Sequence, residues 1–329
     1  MIEYSNYPKG TLSMVIRFDI DGPLVAVASR SFSETAELRM ELGNHFKEVR
    51  YNDSGRTLAG QELIDFATET EAMIVGLERI DEALLESLPN LRYLSKYGVG
   101  LNNIDFESCR ERQITVLHSP GVNSYCVSEL ALSSAIHLLH RAPESQESLR
   151  EGIWQQHRGR DLRGAVVGII GCGHVGKQLV RLLNPFDCKV LVFDKVNNDE
   201  FNKRWGVHQV SLDQLLIESD VLTIHLPLDD STRGMISETR ISMMKPTAVL
   251  LNYARGGILD EDATALRLQQ GLLAGVAIDV YNSEPQIESP LIGMSKVLST
   301  SHIGGSTEQA VMAMGSAAIK QLVDVYFPA

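Results

Sequence analysis

The chain of 329 residues is short of cysteine, of aromatic rings and of long apolar runs. Its four cysteines, Cys109, Cys126, Cys172 and Cys188, contain no CxxC pair. Reduced thiols in a reducing compartment are expected. No apolar stretch approaches the roughly 20 residues that a membrane-spanning helix needs. A basic-then-apolar leader is missing too, since Glu3 and Lys9 are followed by Asp19 and Asp21. Lysine and arginine number 30 against 42 aspartates and glutamates, a formal charge of −12, and no cationic cluster is dense enough to track a phosphate backbone. Nucleic acid and membrane are therefore not expected as partners, and a soluble, cytoplasmic protein is. Repeats of about 20–50 residues and low-complexity linkers are also absent.

What is present is ordinary globular material, 44% hydrophobic and 22% charged, enough for about two domains. After an undiagnostic start at residues 1–22, short aliphatic runs predict buried strands at Leu24–Ala28, Ala72–Gly76 and Leu91–Tyr97. Between them Ser33–Leu42, with Leu38 and Leu42 on one face, and Gln61–Thr68 have helical spacing. A second, sharper alternation predicts strands Ala165–Ile170, Lys189–Phe193, Val221–His225, Ala248–Leu251 and Gly275–Asp279. Helices are expected near 174–184, 212–219, opened by the box-like Ser211 and Gln214, and 260–269. The amphipathic segment Ser124–Arg141, ended by Pro143, links the two series. Continuous apolar strands alternating with helices imply an α/β protein with parallel sheets covered on both faces. Beyond His302 the chain reads as one amphipathic helix, too short to be a domain, and its spacing does not decide which unit it joins.

The strongest local signal is Gly171-Cys-Gly173-His-Val-Gly176, directly after the apolar strand 165–170 and opening a helix. The first glycine allows a tight turn, the second lets backbone approach a pyrophosphate, and the third permits close helix–strand packing. The helix N-terminus supplies N–H groups and positive dipole. Asp194 ends the following strand, placed to accept from an adenosine ribose and to repel a 2′-phosphate, which favours NAD over NADP. Gly171 to Lys177 also spells the start of a P-loop. Gln178 then stands where Mg²⁺ ligation needs Ser or Thr, and that reading is set aside.

Three polar points follow: Arg255 in Asn252–Gly257, Glu284 in Asp279–Pro285, and His302 in Ser301–Gly305. Arg255 and Glu284 fall just after strands, on the rim that lines the ligand crevice of an open parallel sheet. A guanidinium can grip a carboxylate and polarise a carbonyl. An imidazole can move a proton near neutral pH, and a glutamate beside it favours its charged form. With hydride from a nicotinamide, these groups suit reduction of a 2-keto acid and its reverse.

From about residue 72 to 315 the chain resembles the D-isomer-specific 2-hydroxyacid dehydrogenases. The likeness runs through Lys96-Tyr-Gly-Val-Gly-Leu-Asn-Asn-Ile-Asp105, Asn123 with Ser128-Glu-Leu130, Gly152-Ile-Trp154 before Gly159, the glycine loop, His225-Leu-Pro-Leu228, Asn252–Gly257, Asp279–Pro285 and His302–Gly305. The resemblance implies Arg255 as the grip on the substrate carboxylate and keto oxygen, His302 as proton donor in reduction, and Glu284 as its partner. It implies that the backbone at Val99 and Gly100 cradles the carboxylate. His174 and Val175 would meet the pyrophosphate, Asp194 the ribose, Leu226 and Pro227 the adenine side, and Asp279 the nicotinamide carboxamide. Tyr253, Ala254 and Gly305 are expected at the cofactor as well.

The resemblance also implies two Rossmann-like domains with the active site in the cleft between them. The N-terminal one is flavodoxin-like and discontinuous, formed by 1–119 and 305–329 and completed by the last helix. Residues 120–304 form the NAD-binding domain, through which the family usually dimerises. Within the family the likeness is greatest to 3-phosphoglycerate dehydrogenases, with no C-terminal regulatory domain expected. Hydroxypyruvate, glyoxylate and D-lactate stay open as substrates. A phosphorylated substrate would want a further cation, for which Lys96 is the candidate, a solvated lysine being the alternative. Ser301 stands where the family often has Pro, and Asn102 where Asp is common. A second class shares the fold: NADH-sensing corepressors, for which partner binding matters more than turnover.

Other features read as structural. His137 and His140 lie i, i+3 on a helix without a third ligand at compatible spacing, so no metal site is expected. Cys172 needs only to be small inside its loop. Met243 and Met244 read as core. His225 either lines the cofactor crevice or ends a strand.

Overall fold

The computed structural model describes residues 22–284 and 288–328, which form two compact units. One takes in the described residues up to Tyr97, Asn103–Leu117 and the chain from Ala318; the other holds Gly98–Asn102 and His118–Ala317. The undiagnostic start (all but Gly22) and Pro285 of the Asp279–Pro285 motif lie outside the described residues.

The first unit is built on strands β1 (Val25–Val27), β2 (Val49–Tyr51), β3 (Ala72–Val75), β4 (Tyr93–Lys96) and β5 (Thr115–Leu117), all parallel, in the order β2-β1-β3-β4-β5. That is the flavodoxin-like order, with its topological switch between β1 and β3. β1 and β3 are buried at every position, as their unbroken apolar runs require. Helix Ala36–Gly43 turns Leu38 and Leu42 inward, and helix Gly60–Ala67 buries Leu63 and Ala67. Each such leucine contributes about 2 kcal/mol by leaving water. The end of helix Glu308–Tyr326 packs here: Ser95 Oγ donates to Ala318 O at 2.9 Å, and the Tyr326 ring meets Phe46 and Tyr93 edge-on.

The second unit carries β6 (Val166–Ile170), β7 (Lys189–Phe193), β8 (His208–Gln209), β9 (Val221–Ile224), β10 (Val249–Asn252), β11 (Gly275–Ile278) and β12 (Val297–Ser299). They form a parallel sheet in the order β12-β11-β10-β9-β6-β7-β8, a Rossmann sheet with one strand added at its edge. The alternation of strand residues sorts two cores. Ile170, Leu222, Ile224 and Leu250 pack with Leu215 and Leu216 on one face. Val167, Ile169, Val221 and Leu251 pack with Ala131, Leu138, Leu179 and Leu183 on the other. The switch between β6 and β9 puts Gly171 and His225 side by side at the carboxyl rim.

One reading of the sequence needs correction. The linking helix, Ser124–Leu139, is not ended by Pro143. Arg141 takes a left-handed turn, φ +57°, and Pro143 sits in the first turn of a new helix, Ala142–Arg150, where its missing N–H costs nothing. Ser211 makes only half a capping box. Its Oγ accepts from Gln214 N at 3.2 Å, while the Gln214 side chain donates to Glu218.

Candidate active site

The glycine loop has three glycines with three different reasons. Gly171 has φ +94°, and a Cβ there would lie 2.8 Å from His225 O. A Cβ on Gly176 would lie 2.2 Å from Gly171 O, so the third glycine is needed to seat helix His174–Leu183 against the turn. Gly173, the residue before that helix, is different: a Cβ would meet nothing within 4 Å, and no side chain caps the helix. The open space and the uncapped N-terminus suit an anionic group brought close to backbone N–H donors. Asp194 closes the far side: Cys172 N donates to its Oδ2 at 2.6 Å and Val196 N to its Oδ1 at 2.8 Å. These bonds fix the carboxylate at the end of β7, beside the loop. The His174 ring lies against Gly121, where a Cβ would come within 2.5 Å. The residues present therefore fit a dinucleotide.

Leu226 and Pro227 are partly to well exposed after β9. His225 stands behind them. Its Nε2 is 2.9 Å from Thr223 Oγ1, its Nδ1 is shielded without a partner, and burial pulls its pKa down to about 3. It is a neutral imidazole at the strand end, on the rim beside Gly171. Tyr253 is buried with its hydroxyl 2.6 Å from Ser134 Oγ, and Ala254 is buried, so their side chains belong to the core. What they offer the rim is backbone.

Arg255 is aimed by a short turn in which Asn252 Oδ1 accepts from Ala254 N at 3.2 Å and Asn252 Nδ2 donates to Arg255 O at 3.1 Å. Its guanidinium donates to Ala254 O at 2.7 Å and to Asn102 Oδ1 at 3.2 Å. It also lies against Gly100, where a Cβ would fall 1.9 Å from Nη2. Burial lowers the Arg255 pKa and the Glu284 charge opposes that. Gly100 is thus next to Arg255, and Val99 lies in the same unit.

His302 Nδ1 is 2.7 Å from Glu284 Oε2, and Glu284 Oε1 accepts from Tyr281 N at 2.8 Å. Burial works to raise the Glu284 carboxyl. The bonds from His302 and Tyr281 N–H, with the charges of His302 and Arg255, outweigh it and leave the carboxyl below its ordinary range. An ionised Glu284 makes Nδ1 the donor and leaves Nε2 as the atom able to pass a proton outward. His302 itself has φ +55°, a strained conformation for a residue with a side chain. The strain is held by Asp279, which is 2% exposed. Its carboxylate accepts from Thr300 Oγ1 at 2.6 Å, Ile303 N at 2.8 Å and Gly304 N at 2.8 Å, while its carbonyl accepts from His302 N at 2.9 Å. Gly305 follows, close against Asn123.

The structure thus brings Arg255, Glu284, His302, Asp279, Val99 and Gly100 into one unit with the glycine loop. Lys96 belongs to the other unit and is 5% exposed, so it is not a solvated lysine. Three bracing contacts had no readable signal. Asn102 binds Arg255; Asn282 Oδ1 accepts from Gly257 N at 2.6 Å; and Glu261 accepts from Asn282 N at 2.9 Å. These pairings join loops far apart in the chain, and nothing in the local sequence encodes them. Among the described residues no cluster of His, Cys, Asp and Glu could hold a metal, and no helix is long and apolar enough to cross a membrane.

A Rossmann-ordered sheet with a phosphate-type glycine turn at its switch point defines a dinucleotide-binding fold, and Arg255, Glu284 and His302 lie in the same unit. The family model described as D-isomer specific 2-hydroxyacid dehydrogenase, NAD binding domain, matches residues 132–304. The chain is 31% identical over 271 residues to a glyoxylate reductase of Thermococcus litoralis, covering 79% of this chain and 82% of that protein. It is 32% identical over 272 residues to a D-3-phosphoglycerate dehydrogenase of Archaeoglobus fulgidus, covering 82% of this chain but 52% of that protein. It therefore spans about half the length of that relative. The crystal structure of D-lactate dehydrogenase from Aquifex aeolicus, complexed with NAD and lactic acid, superposes with a TM-score of 0.81 at 25% identity, covering 92% of this chain and 95% of that one. The chain belongs to the D-isomer-specific 2-hydroxyacid dehydrogenase family and carries its NAD-binding domain. The corepressor reading is not favoured by these relatives, whose names are those of dehydrogenases and reductases.

Proposed function

We infer that the protein reduces a small 2-keto acid to the D-2-hydroxy acid with NADH, and runs the reverse with NAD. The observation that carries this reading is the His302–Glu284 pair at 2.7 Å in the same unit as the Arg255 guanidinium and the glycine loop. Bound NADH would supply hydride to the keto carbon. Every other duty falls to the chain. Arg255 binds the substrate carboxylate and polarises the keto oxygen, and the N–H groups at Val99 and Gly100 share the carboxylate. His302 Nε2 delivers a proton to the keto oxygen, and Glu284 holds the imidazolium that makes this possible. Asp279 keeps the His302 loop in place, and by the family likeness would be the residue that bonds the nicotinamide carboxamide. The loop from Gly171 to Gly176 with His174 and Val175 takes the pyrophosphate, Asp194 the ribose, and Leu226, Pro227, Tyr253, Ala254 and Gly305 line the remaining length.

The substrate lies among glyoxylate, hydroxypyruvate, pyruvate and 3-phosphohydroxypyruvate, with a 3-phosphoglycerate-type activity supported by the sequence likeness to enzymes of that name. A cytoplasmic setting fits four unbonded cysteines, of which Cys109 and Cys172 are buried with thiols pushed up to about 11 and so unreactive. A homodimer fits the exposed apolar side chains Leu149, Ile153 and Trp154, the last 84% exposed.

The test is turnover of the four keto acids with NADH by the parent, Arg255→Ala and His302→Ala. His302→Ala should lose about 10²–10⁴-fold in kcat, and Arg255→Ala should lose on the order of 100-fold in kcat/KM, much of it in KM. A parent that binds NADH and turns over none of the four refutes the reading.

A further inference from the structure

A cluster of buried polar and charged groups lies in the first unit at the place where a flavodoxin-like sheet ordinarily takes a ligand, the switch between β1 and β3. There the crevice is filled by the chain itself. A Cβ on Gly76 would fall 2.9 Å from Ser29 Oγ, and Gly76 N donates to Glu78 Oε2 at 2.6 Å. Glu78 is 2% exposed and Lys96 5% exposed. The Lys96 ammonium binds Gly76 O and, at 2.9 Å, Asn103 Oδ1. Asn103 is the hub. Its Nδ2 donates to Glu78 O at 2.6 Å and Gly76 O at 3.2 Å, and its own carbonyl accepts from Ile80 N at 2.8 Å.

Lys96 and Asn103 stand at the two ends of residues 97–102. Their bond closes that segment at its base, while Asn103 ties the base to the turn after β3. The segment so closed contains Val99 and Gly100. A lysine held this way is neither a solvated side chain nor a cation reaching for a ligand: it is buried and its donors are directed at protein oxygens, with Glu78 tied into the same cluster through Gly76.

We propose that Lys96, Asn103 and Glu78 form a clamp of positioning residues that holds the 97–102 segment in the shape that cradles the substrate carboxylate, and that Lys96 does not bind a substrate phosphate. The proposal rests on the reductase reading above and deepens it. It predicts that losing the clamp affects every 2-keto acid alike, because all present the same carboxylate to the same backbone.

The test compares parent, Lys96→Met, Asn103→Ala and the double variant Lys96→Met/Glu78→Gln, as full chains. KM and kcat are measured for 3-phosphohydroxypyruvate, hydroxypyruvate, glyoxylate and pyruvate, with NADH affinity, thermal stability and amide hydrogen exchange at residues 97–103. Lys96→Met alone removes the cation that favours the buried Glu78 carboxylate and should lower Tm; Glu78→Gln, which keeps an acceptor for Gly76 N, should restore it. The double variant should nevertheless keep a KM raised about tenfold for all four acids, kcat within about threefold of the parent, parent-like NADH affinity and faster exchange over 97–103. Asn103→Ala should do the same. A role in stability alone would return KM to the parent value in the double variant, and this would overturn the proposal. So would a loss confined to 3-phosphohydroxypyruvate, or unchanged exchange over 97–103. A parent inactive on all four acids would defeat the reductase reading only, and the exchange comparison would still decide the clamp.

Discussion

His302 is held in a backbone conformation that ordinary side chains avoid, and the groups that hold it also set its chemistry. Asp279 fixes the loop through three donors, and Glu284 fixes the ring through Nδ1. The Glu284 carboxyl is lowered from its usual value of 4.5 in the folded protein. Between the lowered value and the usual one the unfolded chain binds more protons than the folded one, so stability there rises with pH. The contribution is complete above the unfolded value and is lost as pH falls through the folded one. Thermal melts of the parent and of Glu284→Gln, followed from neutrality to about pH 3, should converge as pH drops. A constant difference across that range would deny the pair its charge. The residue types at Arg255, Glu284 and His302 were legible because guanidinium, carboxylate and imidazole each have a separate chemical use. Asn102, Asn282 and Glu261 were not, because an amide or carboxylate that braces a turn looks like any other surface residue until its partner is known.

At the scale of elements, continuous apolar runs located β1, β3, β4, β6, β7, β9, β10 and β11 to within a residue or two. The strands that escaped notice, β2, β5, β8 and β12, are short, lie at or next to the sheet edges and carry polar residues, as in Val49-Arg50-Tyr51 and Thr115-Val116-Leu117. Edge strands need only one apolar face, which three residues cannot display as a pattern. Pro143 misled for a related reason, since proline both stops and starts helices and only backbone geometry tells which. The glycine loop makes a sharper claim. Gly173→Ala has room for its methyl and should leave Tm near the parent value while weakening NADH binding at least tenfold by crowding the pyrophosphate. Gly176→Ala drives a methyl into Gly171 O and should lower Tm itself. Calorimetry and NADH titration of both variants check this, and equal effects on both quantities would contradict the separate roles.

For the whole molecule, the chain falls into two compact units that are not two consecutive halves. Residues 98–102 fall with the second unit and the chain from Ala318 with the first, and helix Glu308–Tyr326 crosses the division. Such exchanges are set by tertiary contacts and leave no trace in composition. The charge of −12 likewise says little about an anionic substrate, because Arg255, His302 and loop N–H groups act over a few ångströms, well inside the screening length. Trp154 bears on assembly. If Leu149, Ile153 and Trp154 form the dimer contact, Trp154→Ala should sediment as a monomer where the parent sediments as a dimer. A parent that sediments as a monomer would remove the dimer proposal. The proposed function turns on hydride transfer from NADH to the carbon of a 2-keto acid. NADH carrying deuterium at the transferred position, incubated with the protein and each keto acid, measures that step directly. The expected product is a D-2-hydroxy acid one mass unit heavier, with deuterium at C2, formed on the order of 100-fold or more slowly when Arg255 or His302 is replaced by alanine; recovery of all four keto acids unlabelled and unreduced from the parent would contradict hydride transfer.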